Sequence, residues 1–279
     1  MFHSNFLMVW NKQFDVSYEI NPWMTGNILK VDNRKAYEQW CHLLDVLHNV
    51  DAVVDTFSVD NASIPDIVFT ANAGFLHENL LTVSRFKYSQ RLKEVPYYVN
   101  WFLTHTKAHH QFIPDFFEGA GDALTDVNGN LWAGYGFRSD LESHGILRIL
   151  YPKLNVISLN LTNPDFYHLD TCFCPLNNGY VMYYPEAFLS DSELKILEAF
   201  GDKVILIEQR DAKNFACNAI EWDGNLIMNR CSAKLNYELE KIGYNVIETD
   251  LTEFIKAGGS AKCLTLKLSE THFPPKLKV

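Results

Sequence analysis

The sequence predicts an α/β protein: a five-fold pseudo-symmetric β/α propeller that is closed by its terminal strands. Three hairpin signals recur, with turns at Asn128-Gly129, Asn178-Gly179 and Asp223-Gly224, and such dipeptides favour the tight turn between antiparallel strands. A helical pattern and an apolar strand follow each turn, so the repeated unit is a hairpin, a helix and a strand. Strand-like segments at both ends of the chain would pair and remove exposed sheet edges.

The first unit joins the two ends of the chain. Residues 261–268 are expected to pair with residues 6–10, followed by a helix over about 32–49 and a strand over 52–59. Helical spacing places Tyr37, Trp40, Leu44 and Leu47 on one face of that helix. The second unit matches the hairpin-helix-strand pattern less closely than the others. It has a hairpin over 66–86, an aromatic-rich helical region and a return strand over 111–116.

The other three units follow the same order. The third has its hairpin over 121–137, a helix to about 148 and a strand over 155–161; the fourth has a hairpin over 168–184 and a strand over 203–208. The helix of the fourth is expected to start at Ser190, with Glu193 completing a capping box. In the fifth, the hairpin over 217–229 precedes a helix from about Ser232 and a strand over 245–249.

Composition favours one packed domain over residues 1–279. The chain is 47% hydrophobic, and no linker rich in proline, glycine or serine divides it. Its 24 Lys and Arg against 34 Asp and Glu give a net charge of −10. No basic stripe provides a footprint for nucleic acid, so we expect no such partner.

The chain is expected to be cytoplasmic, with no membrane partner. No segment approaches the ~18 apolar residues of a membrane span, and the first residues lack the regions of a secretion signal. Six cysteines in so long a hydrophobic chain are not typical of a disulfide scaffold, so most should be reduced thiols. We expect Cys41, Cys172, Cys174 and Cys231 to be buried thiols, and the spacing of cysteine and histidine predicts no metal site.

Polar residues stand at or just before the first strand of each unit. In chain order they are Asn72, Glu118 with Asp122, His168 with Asp170, Cys217 with Asn218, and Cys263. Successive units are 46, 50, 49 and 46 residues apart at these positions. Equivalent positions of a pseudo-symmetric ring converge on its axis, so the sequence predicts one central pocket.

The pocket has the parts of a thiol nucleophile. A cysteine becomes nucleophilic beside an imidazolium, and a histidine is oriented by a carboxylate. Cys263, His168 and Glu118 supply these groups, and Gly258-Gly259 permits a positive φ and close backbone approach beside the thiol. Each residue alone is more often structural, but their equivalent placement favours catalysis.

The remaining polar groups indicate a small planar cation as the substrate. Asp170, with Asp122 or Asn72, offers hydrogen-bond acceptors, and carboxylates bind guanidinium through paired charge-assisted bonds. Arg91 and Arg138 either pair with the carboxylate of an amino-acid substrate or are surface arginines.

Five motifs resemble those of the guanidine-modifying superfamily. They are PDIVFTANAG (65–74), FEGAGD (117–122), YHLDTCF (167–173), NFACNAI (214–220) and GGSAKCLTL (258–266). The superfamily includes arginine deiminase, dimethylarginine dimethylaminohydrolase and the amidinotransferases, and has the pentein fold. The resemblance implies that Cys263 is the nucleophile, His168 the general acid and base, Glu118 its orienting partner, and Asp170 a guanidinium ligand. Because FEGAGD has one more residue between its acids than several relatives have, Asp122 is the alternative partner of His168.

Within that superfamily, YEINPWM (18–24) together with Asn72 looks most like the bacterial arginine dihydrolases. These convert arginine to ornithine, carbon dioxide and two ammonia molecules without a metal or organic cofactor. An amide at Asn72, with Asn21, offers a donor and an acceptor for a neutral citrulline-like intermediate. The alternatives are a deiminase, a dimethylarginine hydrolase, an amidinotransferase, an enzyme that modifies protein-bound arginine, or a non-catalytic binding ring. The sequence leaves the oligomeric state open.

Overall fold

The computed structural model describes residues 4–268, and its framework is five three-stranded sheets of one plan. The middle strand of each sheet pairs antiparallel with the first strand and parallel with the third. The strands are β1 (Phe6–Asn11) and β2 (Val54–Val59) with β15 (Leu266–Lys267); β3 (Gly74–His77), β4 (Leu80–Val83) and β5 (His109–Phe112); β6 (Ala123–Thr125), β7 (Asn130–Tyr135) and β8 (Asn155–Asn160); β9 (Phe173–Pro175), β10 (Val181–Tyr183) and β11 (Val204–Leu206); and β12 (Ile220–Trp222), β13 (Asn225–Met228) and β14 (Asn245–Glu248).

One helix lies between the middle and third strand of every sheet, as the repeated unit predicts. These helices are α1 (Asn33–Asn49), α2 (Val95–His105), α3 (Leu141–Leu150), α4 (Ser190–Phe200) and α6 (Ala233–Lys241). Two shorter helices, α5 (Gln209–Lys213) and α7 (Thr252–Ile255), follow third strands. The α/β plan and its order of elements are confirmed.

The turns and the terminal pairing also match the sequence. Gly129, Gly179 and Gly224 have φ of +80°, +84° and +77°, the left-handed conformation that glycine adopts without a steric penalty. β15 pairs antiparallel with β1, through Phe6 with Lys267 and Leu7 with Leu266. The two ends of the described chain therefore share one sheet.

The core face of α1 differs from the expected one. Trp40, Leu43 and Leu47 are buried, whereas Tyr37 is 48% exposed and Leu44 only partly buried. The buried stripe is centred about one residue from the predicted one, and Tyr37 lies at its edge against the Trp10 ring, 5.2 Å between centroids. The expectation for Tyr37 was wrong because an aromatic ring can cover a neighbour while remaining in contact with water.

Two local details of the prediction are also wrong. The return strand of the second unit is His109–Phe112 rather than 111–116, and Pro114, which has no N–H to donate, lies just beyond it. Helix α4 starts at Ser190, but no capping box forms there. The Glu193 carboxylate instead accepts a hydrogen bond from the Tyr183 hydroxyl at 3.1 Å.

The turns that precede the five first strands are linked by a closed circuit of hydrogen bonds, which brings the predicted site residues together. The bonds run from Ala71 N to Cys263 O (3.0 Å), Asn72 Nδ2 to Glu118 O (2.9 Å), Leu169 N to Asp122 Oδ1 (3.0 Å), Asn218 Nδ2 to Asp170 O (3.1 Å) and Cys263 N to Asn218 Oδ1 (3.1 Å). Within residues 4–268, no helix is long and apolar enough to cross a membrane.

Candidate active site

The Cys263 thiol lies in the turn before β15 and is only 5% exposed. Asn218 holds it from two sides, because its Oδ1 accepts from the Cys263 N–H and its Nδ2 lies 3.1 Å from Sγ. The thiol also donates to Asp170 Oδ2 at 3.5 Å. Burial and the neighbouring Asp170 raise the pKa of Cys263 far above its ordinary value. A positive charge near the thiol would favour its ionisation.

His168 is oriented by Glu118, which settles the alternative that the sequence left open. His168 Nε2 lies 2.8 Å from Glu118 Oε2, and Arg138 Nη1 donates to the same oxygen at 3.0 Å. Although burial opposes ionisation, Arg138 and His168 hold the pKa of Glu118 well below its usual range. Glu118 is thus a permanent carboxylate that fixes the imidazole ring.

Asp122 does not face the catalytic cavity. Its carboxylate accepts from the Ser139 hydroxyl at 2.6 Å and from the Leu169 N–H at 3.0 Å, and it is absent from the residues that line the cavity. Burial raises its pKa to about 6. Both of its oxygens therefore fasten neighbouring loops, and a role for Asp122 in substrate binding stays a prediction.

Two buried carboxylates, one beside the thiol and one on the cavity wall, each have one oxygen without a hydrogen-bond partner among the described residues. Asp170 Oδ1 is one and Asp66 Oδ1 is the other, while Asp66 Oδ2 accepts from the Tyr18 hydroxyl at 2.9 Å. Burial raises the pKa of both acids. A buried acceptor without a partner is costly, so these two oxygens are suited to a ligand that brings N–H donors and positive charge.

Sequence reasoning missed Asp66. It lies in the PDIVFTANAG motif, at the start of a 3-10 turn over Pro65–Val68. The residue of this motif that corresponds in position to the site residues of the other units is Asn72, which lies just before the first strand. The only signal for Asp66 was an acidic residue inside an otherwise apolar run.

Both arginines are buried, so the surface alternative is wrong. Arg91 forms a bidentate pair with Glu94, with both N–O distances 2.8 Å, and donates to Asn72 Oδ1 at 2.9 Å. Arg138 binds Glu118 and lies between the Tyr88 and Tyr167 rings, 4.7 and 4.5 Å from their centroids. Both line the cavity. Their pairing with a substrate carboxylate stays a prediction.

The two asparagines predicted to bind substrate also line the cavity. Asn72 bridges Arg91 and the Glu118 carbonyl through its amide oxygen and nitrogen. Asn21 caps a 3-10 turn over Pro22–Met24 and donates to the Ala257 carbonyl at 3.0 Å. Asn21 is therefore bound chiefly to protein groups, and it fastens the segment 18–24 over the site.

Cys217 belongs to the core rather than the site. It is fully buried in the hydrophobic cluster that includes Cys172, Cys174 and Leu226. Burial raises its pKa well above the ordinary value. The adjacent Asn218 reaches the nucleophile instead, so of this predicted pair only Asn218 contacts Cys263. Cys41 and Cys231 are only half-buried, unlike the expectation for them.

The glycine pair beside Cys263 packs closely against the cavity wall, while its predicted role in substrate approach stays a prediction. Gly258 has a φ of +87°, and a Cβ on it would lie 2.7 Å from Tyr167 Oη. A Cβ on Gly259 would lie 2.3 Å from the Phe69 ring. No side chain fits at either position without displacing a residue of the cavity wall.

The cavity is closed in this structure, with a volume of about 10 Å³, which is roughly the space of one water molecule. Segment 18–24 covers it. Tyr18 binds Asp66, the Ile20 carbonyl accepts from Arg138 Nη2 at 2.9 Å, and Asn21 binds Ala257. These contacts hold segment 18–24 against the cavity wall.

The arrangement provides a thiol, an imidazole held by a permanent carboxylate, and two acids that are open to a cation. Such a set can attack a planar cationic carbon, protonate a leaving amine and activate water. The set fits transfer of an amidino group from a guanidinium group to the thiol and then to water.

Comparison with known proteins agrees with this geometry. Residues 8–270 match the family described as N,N dimethylarginine dimethylhydrolase, eukaryotic. The bifunctional arginine dihydrolase/ornithine cyclodeaminase AgrE of Nostoc sp. is 47% identical over 95% of this chain, and the chain spans only 38% of that relative's length. The N(G),N(G)-dimethylarginine dimethylaminohydrolase of Mycobacterium tuberculosis is 34% identical over 91% of this chain and 82% of its own.

Solved structures are similar throughout the described fold. The N-terminal domain of ArgZ, an arginine dihydrolase from cyanobacteria, is 45% identical in a substrate-bound cysteine-to-serine variant, with a TM-score of 0.91 over 95% of this chain and 98% of that one. Another variant of the same domain, 44% identical with a TM-score of 0.91 over 96% of this chain and 99% of that one, is covalently bound to a reaction intermediate.

Proposed function

Because the chain belongs to the N,N dimethylarginine dimethylhydrolase family of the guanidine-modifying superfamily, we propose that it is a cysteine-dependent arginine dihydrolase. It takes free arginine to ornithine, carbon dioxide and two ammonia molecules. The observation that carries the proposal is a pair of buried carboxylates that each have an oxygen without a partner: Asp170, 3.5 Å from the Cys263 thiol, and Asp66, which lines the same cavity as Cys263. The higher identity to arginine dihydrolases than to the dimethylarginine hydrolase supports the choice of substrate.

Binding starts with the guanidinium group between the two carboxylates. Its N–H donors fill the free oxygens of Asp66 and Asp170, and its charge offsets the burial that opposes ionisation of the thiol. Substrate binding therefore promotes formation of the Cys263 thiolate, with the thiol proton passing to His168. Arg91 and Arg138, on the cavity wall, are placed to receive the substrate carboxylate once segment 18–24 has moved.

The first half of the reaction releases one ammonia. The thiolate attacks the guanidinium carbon, and a C–S bond forms. The C–N bond to a terminal nitrogen breaks as His168, held by Glu118, gives that nitrogen a proton. His168 then takes a proton from water, which adds to the same carbon. Breakage of the C–S bond leaves a neutral ureido product and the free nucleophile.

The second half repeats these steps at the ureido carbon. The thiol attacks again, a second ammonia leaves, and water hydrolyses the thiocarbamate. The resulting carbamic acid loses carbon dioxide to give ornithine. Asn72 supports this step, because its amide supplies both a donor and an acceptor at the cavity wall, whereas a carboxylate would supply acceptors alone.

Domain organisation and location are parts of the same proposal. One domain over residues 1–279 is supported by the hydrogen-bond circuit that links the turns of all five sheets. A cytoplasmic location is supported by the cysteines, all six of which are free thiols.

Product analysis tests the proposal. Purified protein is incubated with arginine alone, and citrulline and ornithine are resolved by mass spectrometry. We expect ornithine without any amine acceptor, and a larger fraction of citrulline for Asn72→Asp, with the exposed Asn79→Asp as control. Citrulline as the sole product of the wild type would indicate a deiminase. Turnover of dimethylarginine but not arginine would favour the second candidate, a dimethylarginine hydrolase, which the matched family supports.

A further inference from the structure

A second cavity of about 120 Å³, here called the axial cavity, adjoins the turns that carry the catalytic residues, because Ala120, Ala219 and Lys262 line it. The first strand of every sheet contributes to its wall. Among the described residues, none lines both this cavity and the catalytic one. The proposed reaction does not use the axial cavity or the lysine beside the nucleophile, Lys262, which lines it.

Lys262 is fixed in place at both its backbone and its side chain. Its N–H donates to the Asn218 carbonyl at 3.2 Å, and Nζ donates to the Ala120 carbonyl at 3.1 Å. Ala120 precedes Gly121, where an added Cβ would lie 3.3 Å from the His168 ring. The ammonium group is thus tethered to the turn in which Gly121 packs against the His168 ring.

Lys262, which is partly buried, differs from the two buried arginines of the catalytic cavity. Arg91 has the Glu94 carboxylate and Arg138 has the Glu118 carboxylate, each at 3.0 Å or less. No carboxylate of residues 4–268 lies within ion-pairing distance of Lys262 Nζ, whose hydrogen bond goes to a neutral carbonyl. The positive charge of Lys262 is therefore not neutralised by a paired carboxylate, and it can act on the acidic groups of the site.

Those acidic groups are Asp170 and Cys263, whose side chains are 3.5 Å apart and buried. Lys262 is the strongest of the neighbouring charges that lower the pKa of Asp170, and it also lowers that of Cys263. The other charged or titratable groups that face the pair are Asp66, Arg91, Arg138, Tyr167 and His168 from the catalytic side, and Cys174, Glu221 and Lys267 from the axial side.

The two attacks of the proposed reaction differ in charge. In the first attack the guanidinium brings a positive charge next to the thiol. In the second attack the ureido group is neutral, so the thiolate must form beside the Asp170 carboxylate without help from the substrate. A fixed cation behind the nucleophile meets this need.

We propose that Lys262 is a positioning residue whose ammonium group, tethered to the Ala120 carbonyl, stabilises the Cys263 thiolate and is required most in the second attack. The second part of this statement rests on the proposed dihydrolase function. The first part does not, because the ionisation of the thiol can be followed without any substrate.

The test compares Lys262→Met with Lys262→Arg, which keeps the charge, and with Lys267→Met, which removes a charge from the same cavity farther along the chain. Alkylation by iodoacetamide is followed between pH 6 and 10 on the peptide that contains Cys263, released by a protease that does not cut at lysine. Because the pKa of Cys263 lies far above its ordinary value, the alkylation rate rises throughout this pH range, and we expect Lys262→Met to slow alkylation by about 5- to 10-fold at each pH, since one pKa unit corresponds to a factor of ten. The other two variants should match the wild type.

The second measurement is the product ratio with arginine. Lys262→Met should release more citrulline relative to ornithine, and Lys262→Arg should restore the wild-type ratio. An unchanged alkylation profile in Lys262→Met would overturn the proposal. So would an equal shift in Lys267→Met. If no variant, including the wild type, turns over arginine, the proposed function fails while the alkylation profiles still decide the role of Lys262.

Discussion

His168 Nε2 and Glu118 Oε2 are 2.8 Å apart, although the two residues are 50 positions apart in the chain. Both side chains are almost completely buried, and Arg138 keeps the carboxylate charged. The proton-transfer group of the site therefore has one orientation, which is set before substrate arrives. Replacement of this carboxylate should affect catalysis more than binding.

Glu118→Gln should lower kcat by about 10²- to 10⁴-fold, the usual contribution of a positioned acid and base, with a smaller change in KM. The same change leaves the Arg138 charge buried without its partner, so we expect a stability loss of about 3 to 5 kcal/mol. Steady-state kinetics and urea unfolding measure the two effects. The exposed Glu78→Gln is the control, and equal kinetics in both variants would contradict the role of Glu118.

Asp66→Asn should weaken substrate binding. Loss of a charge-assisted hydrogen bond in a buried site costs about 1.5 to 3 kcal/mol, which corresponds to roughly a 10- to 100-fold rise in KM for arginine. The free protein should not lose stability, because burial already raises the pKa of Asp66 and disfavours its charge. Kinetics and thermal melting with and without arginine test both points, with the exposed Asp45→Asn as control. A wild-type KM in Asp66→Asn would remove this residue from the site.

Gly258→Ala should abolish most activity while Gly129→Ala should not. Both glycines are left-handed, with φ of +87° and +80°, but an added Cβ meets Tyr167 Oη at 2.7 Å in the first and nothing within 4 Å in the second. Both variants should lose about 1 to 2 kcal/mol of stability from the conformation alone. Displacement of the cavity wall should cost Gly258→Ala roughly 100-fold in kcat. Equal activities would show that the close approach is unimportant.

The pH dependence of stability should change in Glu221→Gln. Burial raises the pKa of Glu221 from 4.5 to about 7, against hydrogen bonds from Tyr244 and Asn177. An acid with a raised folded-state pKa stabilises the protein at low pH, and this contribution is lost as pH rises between those two values, by at most about 1.4 kcal/mol per pH unit.

Urea unfolding at pH 5 and pH 8 measures this effect. The free energy of unfolding of Glu221→Gln minus that of the wild type should be more positive at pH 8 than at pH 5. The same difference for the exposed Glu198→Gln should not change with pH. A constant difference for Glu221→Gln as well would mean that its carboxyl group titrates normally in the folded protein.

The repeated unit was predictable because local signals mark it. Asn128-Gly129 and its counterparts define hairpins through turn chemistry, and the helices follow from apolar spacing. The convergence of Glu118, His168 and Cys263 then follows from equivalent placement. The five-fold plan and the catalytic set therefore needed no long-range information beyond the repeat.

Contacts outside the repeat were not predictable. Asp66 lies in the turn after β2, and Tyr18 and Ile20 lie in an irregular segment that covers the cavity. Cys217 and Asn218 are neighbours in a turn, where no alternation tells which side chain faces the site. Their assignment depends on packing between distant parts of the chain.

The covalent intermediate on Cys263 tests the central claim most directly. The protein is mixed with arginine, stopped with acid within the first turnovers, and its Cys263-containing peptide is weighed by mass spectrometry. We predict an adduct at Cys263 equal to arginine less one ammonia, absent from Cys263→Ala, which should also form no citrulline or ornithine. Turnover of arginine by Cys263→Ala, or an adduct on another cysteine, would contradict the account.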